Sequence, residues 1–358
     1  MNSSRYGSGL TTVSIVTPAY NMGEMLEQAM GSIRRQTYRP LEHVIVDDGS
    51  TDDTAERVER FDYGDVKVRL ISVGMNKGAG NATHIGFSEA KGEYISFLAA
   101  DDLIIDPNKT EKQIELMKSR DADWSYYRDF YSGPDTQTMR HKKPSYLPPL
   151  YSFNRFFERN PYKRLTALMF RNPINFSSVM IRKQCIDKYG QIDPITRNVD
   201  GDADLLLRYT ALNLKLAVAK GAPIFYRDHP KQTSKNRPLM VKGSEMVRMR
   251  ILTILSETGL LLKYIKKSTA FMIAFLSTNH FLVYPSTDRY LCEFILKNRN
   301  SFNWLLVRTA ARAKKKADKL ILSNEKEQTE LETRIREALT TDVIKVFKTQ
   351  LENSINGV

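Results

Sequence analysis

Acidic residues gather in three short clusters along the 358-residue chain: Asp47-Asp48, Asp101-Asp102, and the alternating Asp200, Asp202 and Asp204. Hard carboxylate oxygens suit Mg²⁺ or Mn²⁺, ions that bridge readily to diphosphate oxygens, and Asp101-Asp102 fits such a site. A carboxylate can also act as a general base toward a hydroxyl. Simpler readings stand beside these. Asp47-Asp48 can be the charge pair at a helix N-terminus, Asp101-Asp102 a solvated loop pair, and the third cluster a set of helix caps.

The elements that must position these clusters follow from hydrophobic period. Val13–Thr17, His43–Val46, Val68–Val73, Tyr94–Leu98 and Asp123–Tyr127 read as strands. Between them, 22–36, 52–60, 79–90 and 107–119 read as helices, with Ser50 or Thr51 as the N-cap of the second and Pro107 in the first turn of the fourth. Strands alternating with helices imply βαβ units and a mostly parallel sheet flanked by helices. In such sheets ligands bind beyond the carboxyl ends of the strands, where Pro18–Asn21, Asp47–Gly49 and Ala99–Asp102 fall. Residues 132–150 read as a long loop, 151–230 as mixed α/β. Beyond about 240 the pattern is helical, over 246–266, 289–297, 304–322 and 325–353. The reading gives two regions, 1–235 and a basic helical extension, 236–358.

The ordered series Thr17-Pro18-Ala19-Tyr20-Asn21, Val46-Asp47-Asp48-Gly49-Ser50-Thr51, Asn76-Lys77-Gly78 and Gly92 to Asp102 resembles the family 2 inverting glycosyltransferases of the GT-A fold. Each motif alone is ordinary turn-and-cap chemistry. Four in order, each at a strand end, are specific, and the likeness extends over about 11–230.

The resemblance implies a nucleotide-diphosphate-sugar donor, a UDP-sugar favoured, and a glycan or lipid-linked acceptor. Tyr20 would lie against the base, with Pro18, Ala19 and Asn21 lining its pocket. Asp48 would accept hydrogen bonds from base or ribose, with Asn76, Lys77, Gly78, Ala100 and Asp101 completing the donor site. Asp101 and Asp102 would hold the metal, either being the direct ligand, and His229 in Arg227-Asp228-His229 is a further candidate. Aligning Leu205–Arg208 on the family's Leu-x-Leu-Arg puts Asp202 at the catalytic base; Asp200 is the runner-up, and Asp204 a cap or structural partner. Asn175 and Ser177 fall in the segment that floors the acceptor site.

Three positions depart from the family pattern: Ala99 where Asp is usual, Gly201 where Glu is usual, and Thr83 where Arg is usual. They motivate an alternative, a nucleotide-sugar-binding module with weakened catalysis. A nucleotidylyltransferase would need a Gly-rich loop after the first strand, and Pro18–Asn21 is not one.

The net charge of +13 is unevenly spread. Residues 1–230 carry 31 basic and 29 acidic side chains; the remainder carry 23 and 12. The run Ala311–Lys319, with Arg248, Arg250, Lys263, Lys266 and Lys267, reads as a solvated helical face, a surface for anionic membrane, or a site for an acidic protein. Nucleic acid is disfavoured, because 311–323 contains no aromatic residue. Leu331, Ile335, Leu339, Val343 and Val346 form one stripe, suited to packing on the chain's own body or on a second copy. Two cysteines exclude a disulfide scaffold. With no h-region in the first ten residues, the expectation is a cytoplasmic protein, peripheral on the membrane if the tail binds lipid. The apolar stretch 270–284 is too short to span a bilayer and reads as a core helix.

Overall fold

The computed structural model describes residues 11–142, 160–170, 172–277, 284–322 and 325–356. The chain divides into two compact units. The first comprises Met1–Leu150, Pro173–Asn198 and Leu214–Gln232; the second comprises Tyr151–Asn172, Val199–Asn213 and Thr233–Val358. The units are thus not consecutive halves of the chain.

The first unit is built on a seven-stranded sheet in the order β10-β6-β9-β4-β1-β2-β3. Its strands are β1 (Val13–Ala19), β2 (Leu41–Asp47), β3 (Lys67–Ser72), β4 (Tyr94–Phe97), β6 (Trp124–Tyr127), β9 (Met180–Arg182) and β10 (Leu216–Ala219). β1 pairs parallel with β2 and β4, and β2 with β3. β9 runs antiparallel to both of its neighbours, β4 and β6. Runs such as VSIVT and HVIV are mostly apolar because both faces of these strands are covered, and their polar members are paired, Ser14 with Glu42 and Thr17 with His43. Helices α1 (Gly23–Arg34), α2 (Thr54–Arg60), α3 (Ala79–Glu89) and α4 (Lys109–Ser119) connect them, and α6 (Lys183–Tyr189) follows β9. Val13, Ile15, Ile33, Leu98, Met117 and Met180 are wholly buried in one core cluster.

The chain leaves β1 toward β2 and β3 on one side and returns to β4 on the other. This places a topological switch point at the carboxyl ends of β1 and β4, where open α/β sheets bind ligands. A smaller sheet, β5-β11-β7-β8, is formed by β5 (Leu103–Ile104), β7 (Phe130–Gly133), β8 (Arg140–Lys142) and β11 (Ile224–Arg227).

Local differences from the sequence reading have local causes. The loop expected over 132–150 begins instead with antiparallel pairing of β7 and β8, Phe130 opposite Lys142; residues 143–150 lie outside the described residues. α2 begins at Thr54, later than a Ser50 or Thr51 cap would place it. Ser50 Oγ is already accepting from Asn21 N, and Thr51 N donates to Asn21 Oδ1. Asp52 Oδ1 takes the Thr54 amide at 3.1 Å.

The second unit is helical. It contains α5 (Pro161–Phe170), α7 (Gly201–Ala211), α8 (Arg237–Glu257), α9 (Leu260–Lys267), α10 (Thr269–Leu276), α11 (Pro285–Lys297), α12 (Trp304–Leu322), α13 (Glu325–Ala338) and α14 (Asp342–Asn356). The helix expected over 246–266 breaks at Gly259, whose φ of 73° is left-handed. The one expected over 325–353 breaks near Thr341, whose hydroxyl takes the Ile344 amide at 3.4 Å and starts a new helix. That break resets the apolar stripe. Leu331, Ile335 and Ala338 are buried, then Ile344, Phe347 and Leu351, while Val346 is 38% exposed. The apolar stretch from Ala270 is helical through Leu276; 278–283 lie outside the described residues. Among the described residues no helix is long and apolar enough to cross a membrane.

The inner face of α4 is polar. Lys109 is 0% exposed, and its Nζ donates to Ser96 Oγ at 2.8 Å; Ser96 Oγ in turn donates to Val179 O at 2.9 Å. Burial lowers the Lys109 ammonium to about 7. The folded protein therefore binds fewer protons here than the unfolded chain between about pH 7 and the ordinary lysine value, and stability rises with pH across that window by up to ~1.4 kcal/mol per unit. Urea unfolding at pH 7, 8 and 9 checks this: the wild type gains stability with a slope that Lys109→Met loses.

Candidate active site

The carboxyl ends of β1, β2 and β4 carry half of the residues singled out by the sequence. After β1, Pro18 is partly buried, Ala19 is buried and the Tyr20 ring is 42% exposed, an aromatic left in water at a strand end. Asn21 has a φ of 52°. Its Oδ1 accepts from the amides of Thr51 and Asp52, so it ties the β1 end to the β2 end.

After β2, Asp48 is 2% exposed and joins a third segment. Its Oδ1 accepts from Lys77 N at 3.0 Å and its Oδ2 from Gly78 N at 2.7 Å. The carboxylate thus sits at the N-terminus of α3, where dipole and free amides favour an anion. Two glycines permit this close approach. Gly49 has φ 77°, and a Cβ there would lie 2.8 Å from Met75 Cα; Gly78 has φ 96°, and its Cβ would lie 2.7 Å from Asn198 Oδ1. Asn198 Oδ1 accepts from Ala79 N. Asn76 and Lys77 are exposed, and Gly78 is buried.

After β4, Ala100 is buried and Asp101 and Asp102 have different surroundings. Asp102 is 2% exposed. It accepts from Ser177 Oγ at 2.5 Å and from Arg227 N at 3.3 Å. Burial, and then the Asp101 charge, push its carboxyl well above the usual carboxylate range. Asp101 keeps 19% of its side chain exposed and lies 2.9 Å from His229 Nε2 through Oδ2. Arg227 steadies the pair: its Nε donates to Asp101 O at 3.0 Å and its Nη2 to Gln28 Oε1 at 2.7 Å.

This donor set fits a hard cation at Asp101 and His229. Cis ligands of an octahedral ion, each about 2.0–2.1 Å away, lie about 3 Å apart, close to the Asp101–His229 separation. Asp102 spends its oxygens on protein donors and braces the site. Among the described residues no three His, Cys, Asp or Glu side chains form a ready-made cage. Mg²⁺ and Mn²⁺ do not require one, since substrate phosphates and water complete their shells.

Ser177 is buried, and besides holding Asp102 its Oγ accepts from Ala99 N at 3.1 Å. Asn175 Oδ1 accepts from Ser177 N at 2.9 Å and so caps the short 3₁₀ turn Phe176–Ser178. The Asn175 Nδ2 group is buried with no partner among the described residues. Gln28, Asn198 and Gln232, whose Oε1 accepts from His229 N, were not singled out by sequence, and Arg227 was given no role beyond its place in the motif around His229. They act across as many as 199 residues of separation, and no local pattern marks them.

In the second unit, α7 carries the remaining aspartates. Asp202 is partly buried, and its Oδ2 accepts from Asn172 Nδ2 at 2.8 Å. Burial, and then the Asp200 carboxylate, raise its carboxyl to about 7. Asp200 has a φ of 54° and accepts from Ser244 Oγ and, at 3.4 Å, from Arg248 Nη1. Asp204 is wholly buried between Arg208 and Arg250, both also 0% exposed. Burial alone would raise Asp204, but the Arg250 and Arg208 guanidiniums hold it below the ordinary value. Arg248 and Arg250 were expected to add to the basic surface. They are instead buried against Asp200 and Asp204, so their charge is answered internally.

Removing Asp204 would leave two buried guanidiniums without their anion. Asp204→Ala is expected to destabilise the protein by about 3–5 kcal/mol, read as a lowered urea midpoint.

Comparison with known proteins bears on the family and the fold. Residues 14–180 match the model of glycosyl transferase family 2. The chain is 39% identical over 111 residues to glycosyltransferase GlyG of Streptococcus pneumoniae serotype 4, covering 31% of this chain and 36% of that protein. It is 33% identical over 114 residues to the UDP-Glc:alpha-D-GlcNAc-diphosphoundecaprenol beta-1,3-glucosyltransferase WfgD of Escherichia coli, covering 32% and 44%. The matches therefore span less than half the length of either relative. Among solved structures, residues 1–349 of S. aureus TarS in complex with UDP-GlcNAc superpose with a TM-score of 0.55 at 16% identity, covering 97% of this chain and 92% of that one. At that identity the likeness is one of fold, and it bears out a GT-A architecture with a helical C-terminal region.

Proposed function

Because the chain belongs to the family 2 glycosyltransferases through residues 14–180, we propose that it transfers a sugar from a nucleotide-diphosphate donor to an acceptor hydroxyl, in polysaccharide or glycoconjugate synthesis. The observation that carries this reading is the Asp101–His229 pair, held by Arg227 at the carboxyl end of β4. The name of the E. coli relative, which specifies UDP-Glc and a diphosphoundecaprenol-linked sugar, supports a UDP-sugar donor and a lipid-linked acceptor.

In this reading Tyr20 stacks on the base. Asp48 keeps Lys77 and Gly78 in place at the start of α3 and offers its remaining lone pairs to base or ribose. Asp101 and His229 would hold Mg²⁺ or Mn²⁺, which would supply positive charge to the diphosphate leaving group. Asn175 Nδ2, buried and unanswered among the described residues, donates to an acceptor hydroxyl.

Asp202 is the general base. Asp200 Oδ2 accepts from Ser244 and Arg248, whereas Asp202 has neutral donors, the Asn172 amide and backbone N–H groups, and a raised carboxyl. The acceptor O–H proton passes to the Asp202 carboxylate as the acceptor oxygen bonds to the anomeric carbon. The bond from that carbon to the diphosphate oxygen breaks, and the nucleoside diphosphate leaves with the electron pair. A single displacement of this kind inverts the anomeric centre.

Asp202→Asn should lower transfer by roughly 10²–10⁴-fold while leaving UDP-induced thermal stabilisation in place; undiminished turnover would sink the assignment. A base must be unprotonated to act, so kcat/KM should climb with pH around a midpoint near 7. A flat profile from pH 5.5 to 8.5 would point to another base. Asp101→Asn should abolish the extra thermal shift that Mn²⁺ adds to UDP, and an unchanged Mn²⁺ response would remove Asp101 from the site.

A further inference from the structure

α12 carries a feature that catalysis does not use. One side of this helix is buried through Leu306, Ala310, Ala313 and Ala317. The opposite side presents Arg308, Arg312, Lys315, Lys316 and Lys319, all exposed. Their spacing of three or four residues aligns them on one face. Trp304 and Leu305 close the stripe at one end, 69% and 43% exposed, and Leu320 closes it at the other, 39% exposed. From Trp304 to Leu320 the stripe is about 24 Å long.

None of these five cations forms an ion pair with a described residue. Two acids on or beside α12 are engaged elsewhere: Asp318 and Glu293 both contact Lys314 and Arg289. Like charges at i,i+4 on an exposed helix oppose folding, so the stripe gains nothing from the fold itself. It becomes favourable only against an anionic partner.

We propose that this face of α12 docks on an anionic phospholipid surface, with Trp304 and Leu305 entering the headgroup boundary. A row of cations with an exposed indole at its end matches such a surface in charge, and an indole is at home at the membrane–water boundary. A single strand of nucleic acid would need rings along the row to stack its bases, and residues 306–319 contain none. The inference stands independently of the catalytic reading, since it involves none of the residues placed at the donor or acceptor.

The test is sedimentation of the full chain with vesicles of phosphatidylcholine alone, or of equal parts phosphatidylcholine and phosphatidylglycerol. Binding to the anionic vesicles only, released by salt, is expected. Each cation near such a surface is worth roughly a five-fold change in partition. R312E/K316E should therefore weaken binding by at least about 25-fold. Trp304→Ser should weaken it while leaving its salt dependence unchanged. Where charge reversal lowers the melting temperature, R312Q/K316Q replaces it, with the 25-fold loss as its expectation. UDP-induced thermal stabilisation should be the same in every variant, which separates failure here from failure of the donor reading. Equal binding to both vesicles, no binding to either, or unchanged binding by the charge variants overturns the proposal. So does capture of a duplex oligonucleotide by a protein that ignores the vesicles.

Discussion

The hydrogen bond from Ser177 Oγ to Asp102 joins segments 75 residues apart, and Arg227 N brings a third segment to the same carboxyl. Asp102 itself is sealed from solvent, and its raised carboxyl favours the neutral form. Asp101, beside it, keeps a fifth of its side chain exposed and meets His229. Two adjacent aspartates with the same chemistry thus take different tasks: one braces the strand end and the other faces outward with His229. Ala99, whose side chain cannot compete for a cation, gives its amide to the same Ser177 hydroxyl. The departure at position 99 is absorbed into the bracing.

The helical unit meets the same physical constraint differently. Burying a charge requires an opposite charge or several hydrogen bonds. Asp204 meets this with two arginines, and Asp200 with Arg248 and Ser244. Asp202, two residues from each, has neutral donors, the Asn172 amide and the backbone N–H groups of its own turn, in place of a guanidinium. A proton-accepting group is most useful when its carboxylate is imperfectly satisfied, and α7 supplies one such group between two satisfied ones.

The sequence disclosed the strand–helix alternation of the sheet unit well, because buried parallel strands are written as short, mostly apolar runs. The strand ends bearing Tyr20, Asp48 and Asp101 were legible for the same reason. What stayed hidden was whatever depends on distant partners. Nothing around residue 177 announces that its hydroxyl holds Asp102. Arg248 and Arg250 look like surface cations until Asp200 and Asp204 are placed against them. The β7–β8 pairing escaped notice because Pro134 and the polar residues around it read as loop, which is what they are between two very short strands. The terminal helix was overextended because an apolar stripe continues in sequence across Thr341, although the hydrogen bonding restarts there.

The interleaving of the two units also sets an order of events during synthesis. The last strand of the sheet unit, β11, ends at Arg227, so that unit has all its strands once roughly two-thirds of the chain exists. α7 has by then emerged with Asp204, but Arg250 has not been made, and Ala338, whose carbonyl accepts from Arg250, is later still. Domains tend to fold as they leave the ribosome, amino end first. Here the sheet can close early, while the helix bearing the proposed base must wait for the carboxyl-terminal third. Arg208 answers the buried Asp204 carboxylate from within the same helix, but its second guanidinium, Arg250, comes only with that last third.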